Sequence, residues 1–305
     1  MKPRNLAELR AGGKSGLSAA LALIEEAPGA QAAIRLLEEA HGAPLGFVIG
    51  LTGPPGVGKS TLASSLVRRW RADGVRVGVV AVDPSSQRTG GALLGDRIRM
   101  RADPADDGVF VRSLAARGRL GGLAELAFPA VILMRALFDR VLVESVGVGQ
   151  SEADISNVTD RVVLCIQPGS GDSLQFMKAG IMEIPDIAVV TKADIGGAAG
   201  RALADLKGAL GLASEGDIAC LAVSASTGTG LDALMAGLSP PAELQALAAR
   251  RHAQAEGWMR SAIAQRFGEE GLAAAQSALT LTRGSAPFAA ARAITAALKV
   301  TFSPQ

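Results

Sequence analysis

Residues 53 to 60 read Gly-Pro-Pro-Gly-Val-Gly-Lys-Ser, a complete G-x-x-x-x-G-K-[ST] element. An apolar run from Phe47 to Thr52 precedes it and a helix-compatible run from Thr61 to Trp70 follows. Nothing else in the chain restricts its fold so far, because the element works only between a strand and a helix. A glycine-rich turn there lets successive backbone N–H groups converge on an anion at the helix N-terminus. Gly53, Pro54, Pro55, Gly56, Val57 and Gly58 would form the cradle. Lys59 would reach the β- and γ-phosphates of a nucleotide, and the Ser60 hydroxyl would bind Mg²⁺.

The rest of the chain supplies the sheet that such a loop needs. Short apolar runs at 47–52, 76–82, 108–114, 140–145, 161–167, 186–191 and 218–224 alternate with helical stretches. Val77 to Val82 and Val141 to Val143 are almost continuously apolar, as in strands covered on both faces. The expected fold is α/β, a three-layer P-loop NTPase with a mostly parallel seven-stranded sheet. Residues 1–44 read as an N-terminal helical extension, with Leu6, Leu9, Leu17, Leu21 and Ile24 at helical spacing. A Pro28-Gly29 turn follows, then Ala30, Ile34 and Leu37 resume the pattern until Pro44 and Gly46 end it. Residues 45–240 form the nucleotide domain, closed by Ser239-Pro-Pro241, and 241–305 a C-terminal helical extension, with an Ala-rich helix from 242 to about 268.

Composition removes several function classes. Thirty-one basic residues against 29 acidic leave a net charge of +2, so no field draws the chain to nucleic acid or to a membrane surface. There is no Tyr, and eight Phe with two Trp make no stacking platform for single strands. Cys165 and Cys220 stand singly on apolar runs and read as free core thiols of a reducing compartment. His41 and His252 have no cysteine pair beside them, so nothing has zinc- or nickel-ligand spacing. No uninterrupted apolar core follows Met1-Lys-Pro-Arg-Asn5, and no apolar window is long enough to span a bilayer. The expectation is a cytoplasmic protein.

Ligands of parallel sheets sit beyond the carboxyl ends of the strands, so residues after each apolar run carry the chemistry. Asp83 follows the second run and is placed to hold Mg²⁺ through water or to orient an attacking water. The stretch Thr89-Gly-Gly-Ala-Leu-Leu-Gly-Asp96 has the glycines of a loop that senses a γ-phosphate, with Asp96 as a second metal candidate. Glu144 ends an otherwise apolar strand. A carboxylate there is costly to bury alone, and a nearby cation removes that cost. Gly147 would let a backbone N–H meet the γ-phosphate. Val148 follows, where many GTPases carry a water-positioning Gln, so intrinsic hydrolysis is expected to be slow.

Thr191-Lys-Ala-Asp194 ends the sixth run. The Asp194 carboxylate can accept from guanine N1–H and the 2-amino group, a donor pair that adenine lacks. The Lys192 stem can pack over the base. The first position of this element is usually Asn, whose amide ties it to the phosphate loop, and Thr191 has no amide. Ser224-Ala225-Ser226 ends the last run, where the Ala225 N–H could meet guanine O6. The pairing of buried polar groups favours GTP over ATP.

Together these segments resemble the MeaB/ArgK/methylmalonic aciduria type A family of G proteins. The resemblance rests on Gly53 to Thr61, Asp83 to Ser86, Thr89 to Asp96, Glu144-Ser-Val-Gly-Val-Gly-Gln-Ser-Glu152 and Gln167-Pro-Gly-Ser-Gly-Asp-Ser-Leu-Gln-Phe-Met-Lys178. It implies a P-loop domain of the signal-recognition-particle/MinD-like (SIMIBI) class with helical extensions that help make a homodimer. It implies a GTPase, working through GTP/GDP and Mg²⁺, that gates adenosylcobalamin delivery to an acyl-CoA mutase and protects it. By position it gives Lys59, Ser60 and Thr61 the phosphate and metal contacts. Asp83, Asp96 and Glu144 become the carboxylates around Mg²⁺ and the attacking water. Gln167 to Lys178 match a third switch, with Lys178 as a cation for the transition state.

Other readings share the nucleotide layer. A small-molecule kinase or ATPase related to arginine/ornithine transport would need an acceptor pocket with a catalytic base, which the sequence does not display. A metal-insertion GTPase would need a relay of Cys or His ligands. A scaffold without turnover would have no use for Glu144 and the two aspartates.

Overall fold

The apolar runs form β1 (Phe47–Thr52), β2 (Val77–Asp83), β3 (Val109–Ala115), β4 (Arg140–Glu144), β5 (Arg161–Ile166), β6 (Ile187–Val190) and β7 (Ala219–Ala222) in a computed structural model of the chain. The structure describes residues 2–83, 105–115, 126–145, 154–169, 185–213 and 218–301. Its principal helices are α1 (Leu6–Ala11), α2 (Gly13–Glu26), α3 (Gln31–Gly42), α4 (Lys59–Ala72), α5 (Ala127–Arg135), α6 (Gly197–Ala213), α7 (Leu231–Gly237), α8 (Leu244–Ala274) and α9 (Pro287–Thr301). They divide between two units, one of residues 47–127 and 138–240, the other of 1–46, 128–137 and 241–305.

The first unit holds the sheet, in the order β3-β2-β4-β1-β5-β6-β7. Every described pair is parallel. β1 is buried along its whole length between β4 and β5. The chain leaves β1 toward one side of the sheet and later crosses to the other. The carboxyl ends of β1, β4 and β5 therefore flank a topological switch point, where such sheets bind ligands. On the β5–β6 side, α6 lays Ala199, Leu206 and Leu210 on Leu164, Ile166, Ala188 and Val190.

The amino ends of the strands are pinned by a repeated device. Asp139, Asp160 and Asp186 each stand one residue before a strand. Their carboxylates accept the backbone N–H of Arg76, Val48 and Val162 at 2.9, 2.8 and 2.7 Å. Each bond spans neighbouring strands at their start and fixes register, which one-residue slips would otherwise scramble. The Arg76 guanidinium also grips Asp139 and holds its carboxyl below the usual carboxylate range.

The second unit is helical. Asn5 caps α1 by accepting the Glu8 N–H at 2.8 Å. Glu39 on α3 accepts the Leu6 N–H and Glu38 the Ala289 N–H, so the first and last helices of the chain share this unit. Phe128 on α5, Trp258 on α8 and Phe288 on α9 meet with ring centroids 4.9 to 6.0 Å apart. α8 kinks at Gly268, whose φ is 66°, where the sequence pattern places the end of the Ala-rich helix. Among the described residues no helix is long and apolar enough to cross a membrane.

Candidate nucleotide site

The phosphate loop leaves β1 over the end of β5. Gly53 has φ 131°, and a Cβ there would lie 2.0 Å from the Cys165 carbonyl oxygen. Only glycine fits that approach. The Cys165 thiol beneath is fully buried, and burial pushes it up to about 12, so it stays neutral under the loop. Cys220, expected in the core, is partly exposed, with its thiol 3.4 Å from the Ile218 carbonyl. The turn ends at Gly58 in the left-handed region, and α4 begins with Lys59.

Lys59 is buried and donates from Nζ to the Gly53 and Pro54 carbonyls at 2.7 and 3.0 Å. Its ammonium thus turns back onto the first residues of its own loop, which continues through Pro55, Gly56 and Val57. Ser60 Oγ donates to Glu144 Oε1 at 2.6 Å across 84 residues of sequence. Glu144 sits at the end of β4 in register with Leu51 of β1 and Ala81 of β2, and is 6% exposed. Its neighbour Ser145 lies 3.0 Å from the Thr52 hydroxyl, joining β4 to the root of the loop. Thr61 is exposed on the first turn of α4. A serine hydroxyl and a carboxylate held together are hard oxygen donors, the kind Mg²⁺ takes. Of the other expected ligands, Asp83 ends β2, but its side chain lies outside the described residues, as do Asp96, Gly147 and Lys178.

The segment expected to meet a base is built from the ends of β6 and β7. Thr191 is buried, with Oγ1 2.6 Å from the Val57 carbonyl and 2.9 Å from the Ile166 carbonyl. The tie to the phosphate loop that the missing Asn amide implied was lost is therefore present, made by a hydroxyl. Lys192 adopts φ 55°, the left-handed region, and reaches with Nζ to the Gly56 carbonyl at 3.1 Å and to Gln167 Oε1. Asp194 is exposed, and its Oδ1 accepts from Ser224 Oγ at 2.6 Å. That hydroxyl holds the Asp194 carboxyl below its ordinary range, so it is ionised at neutral pH. Ser224 Oγ is also 2.9 Å from Ser226 Oγ, and the Ala225 carbonyl accepts from Ser65 Oγ at 3.0 Å. The structure thus brings together Gly53 to Ser60, Glu144, Thr191, Lys192, Asp194, Ser224 and Ala225.

Sequence reasoning missed Ser65, Ser145 and the contact of Gln167 with Lys192. Ser65 had a signal: it is a polar residue inside the apolar stripe of Leu62, Leu66 and Trp70, and it is 3% exposed. Among the described residues no group of His, Cys, Asp or Glu could hold a metal ion on its own.

Comparison with known proteins follows the same segments. A family model described as "Methylmalonyl Co-A mutase-associated GTPase MeaB" matches residues 17–276. A Pyrococcus abyssi protein is 54% identical over 153 residues, 50% of this chain and 47% of that one. The mouse "Methylmalonic aciduria type A homolog, mitochondrial" is 43% identical over 152 residues, 50% of this chain and 37% of that one. The chain spans about half the length of such relatives, or less. A crystal structure of an LAO/AO transport system kinase superposes with a TM-score of 0.61 at 23% identity, covering 96% of both chains, a likeness of fold.

Proposed function

The chain belongs to the MeaB family of GTPases associated with methylmalonyl-CoA mutase, and from that premise we propose that it gates adenosylcobalamin loading of an acyl-CoA mutase by binding and hydrolysing GTP. The observation that carries the nucleotide part is the 2.6 Å bond between Ser60 and Glu144, beside the buried Lys59. It joins the phosphate helix to the one carboxylate on an apolar strand end whose side chain is described. Bound there, Mg²⁺ would bridge phosphate oxygens and neutralise their charge. Ser60 and Glu144 would hold it, with Asp83 and Asp96 proposed as further ligands.

Lys59 supports the same reading. Its ammonium is already turned onto the loop carbonyls, and a triphosphate in the cradle offers it charged acceptors, which make the stronger bonds. Guanine over adenine is supported by Asp194. Its ionised carboxylate can accept from the N1–H and 2-amino donor pair of guanine, which adenine does not offer at those positions. On this reading loss of the γ-phosphate relaxes the segments around Gly147 and from Gln167 to Lys178, and the mutase responds. Dimerisation through the C-terminal helices and a cytoplasmic location belong to the same proposal.

The test is single-turnover GTP hydrolysis by the purified chain, with and without an adenosylcobalamin-dependent acyl-CoA mutase. A slow basal rate that rises on adding the mutase is expected. A rate that the mutase leaves unmoved would remove the chaperone reading. ATP bound as tightly as GTP would remove the guanine part.

A further inference from the structure

The loop that reads the base is held from behind by the helix that receives the phosphates. α4 starts at Lys59. Further along it, Ser65, 3% exposed, donates its hydroxyl to the Ala225 carbonyl at 3.0 Å. The same oxygen accepts from Arg68 Nη2 at 2.9 Å, which commits its proton to Ala225. One turn on, Arg69 pairs with Asp232 on α7. Residues four apart share a helix face, so one face of α4 grips the segment after β7 at two points. One lies at the loop itself and the other just beyond its return.

Between those points the loop is tightly held. Ser224 donates its N–H to the Thr229 carbonyl at 2.9 Å, and its own carbonyl accepts from Gly228 at 3.0 Å. Its hydroxyl is engaged by Asp194. Gly230 returns the chain with φ 72°, so close that a Cβ would lie 2.2 Å from the Ala222 carbonyl oxygen. Ala225 is thus fixed on both sides, through Ser224 before it and through its own carbonyl by Ser65.

We infer that Ser65 is a positioning residue for base recognition: through the Ala225 carbonyl it sets where this loop's backbone N–H stands against the 6-oxo group of guanine, and it couples that placement to the phosphate helix. The inference rests on the reading of the pocket as a guanine-nucleotide site. Ser65 is buried beneath the loop and reaches it through Ala225. A hydrogen bond to a carbonyl weakens steeply with misplacement, so a loosened Ala225 would lose its grip on the 6-oxo group first.

The experiment titrates GDP, 6-thioguanosine diphosphate and ADP against the wild-type chain, and the first two against Ser65→Ala, Ser65→Cys and Ser65→Thr. The thio analogue keeps N1–H, the 2-amino group and the phosphates but offers a poor acceptor at position 6. The wild type is expected to prefer GDP. Ser65→Ala should weaken GDP about 5- to 10-fold, the size of one hydrogen bond, and weaken the thio analogue much less, so that the preference shrinks. Ser65→Cys fills the same space with a weak donor and should move in the same direction even if the alanine variant folds poorly. Ser65→Thr keeps the hydroxyl and should restore the preference. Equal weakening of both nucleotides, or of neither, overturns the role of Ser65. A wild-type chain that binds ADP as tightly as GDP overturns the guanine reading beneath it instead.

Discussion

Replacing Thr191 with valine removes one hydroxyl and almost no volume, which isolates the tie between the base element and the phosphate loop. That hydroxyl lies 2.6 Å from the Val57 carbonyl and 2.9 Å from the Ile166 carbonyl. The Ile166 carbonyl keeps a partner, because it also accepts the Thr191 N–H at 2.8 Å. The Val57 carbonyl, on a residue with no exposure, loses this donor. Stranding a buried acceptor costs about 1–3 kcal/mol. The added valine methyl offsets part of it, since a buried CH₂ is worth about 0.8 kcal/mol. A net loss of about 1–2 kcal/mol should lower the melting temperature by roughly 2–8 °C. The same loosened loop should weaken GDP by about tenfold, which corresponds to 1.4 kcal/mol. Urea unfolding followed through Trp70, buried on α4, reads the first effect, and titration with a fluorescent guanine nucleotide reads the second. Thr191→Ser keeps the hydroxyl and sheds only the methyl, so it should bind GDP nearly as the wild type does. If valine matches threonine in both assays, or serine fails as valine does, the hydroxyl is not the tie.

Three further outcomes follow from the same geometry. Gly53→Ala drives a Cβ to 2.0 Å from the Cys165 carbonyl oxygen at a φ of 131°, so the loop must shift and guanine-nucleotide binding by calorimetry should be lost. Asp194→Asn replaces a two-oxygen acceptor with a mixed group. GTP preference should erode and xanthosine triphosphate gain, while the melting temperature hardly moves because Asp194 is exposed. Burial, with Arg135, Arg251 and His252 nearby, lowers His41 from 6.5 to about 4, so the folded chain refuses a proton that the unfolded chain accepts. This contribution is complete above pH 6.5 and is lost as pH falls toward 4. After allowance for its partial exposure it is worth about 1–2 kcal/mol. His41→Gln should therefore flatten the acid side of a plot of urea midpoint against pH, and an unchanged acid side would refute the assignment.

How far such a site can be read from sequence depends on what each inference needs. The strands were legible because burial on both faces leaves continuous apolar runs, and each observed strand lies within a residue or two of its run. Glu144 was legible because an acid that closes such a run must find a partner, and the phosphate motif supplies one in Ser60. α5 was harder. Its residues are buried on every side, and a helix without a polar face gives no helical period. Its sharing of a unit with the terminal helices was out of reach for the same reason. Thr191 marks the limit of reading by residue type. Losing an amide looked like losing a tie, yet the tie needs only one donor within reach of the Val57 carbonyl, and that reach is a distance across 134 residues.

The acids show how much position adds to residue type. Glu144 follows its apolar run, and Asp194 lies just past the run that ends in Thr191. Both stand at carboxyl ends, where one meets Ser60 on α4 and the other Ser224 after β7. Asp139, Asp160 and Asp186 precede their runs, and each clamps a neighbouring backbone N–H at the amino ends. In a parallel sheet every strand points the same way, so whether an acid comes before or after its run decides the edge on which it lies. Where such an acid is buried, as Glu144 and Asp160 are, desolvation demands a partner. At the amino ends the sheet itself provides it, and those acids hold register. At the carboxyl ends the partners are side-chain hydroxyls, Ser60 at the start of α4 and Ser224 after β7, so those acids are tied to the segments that follow β1 and β7.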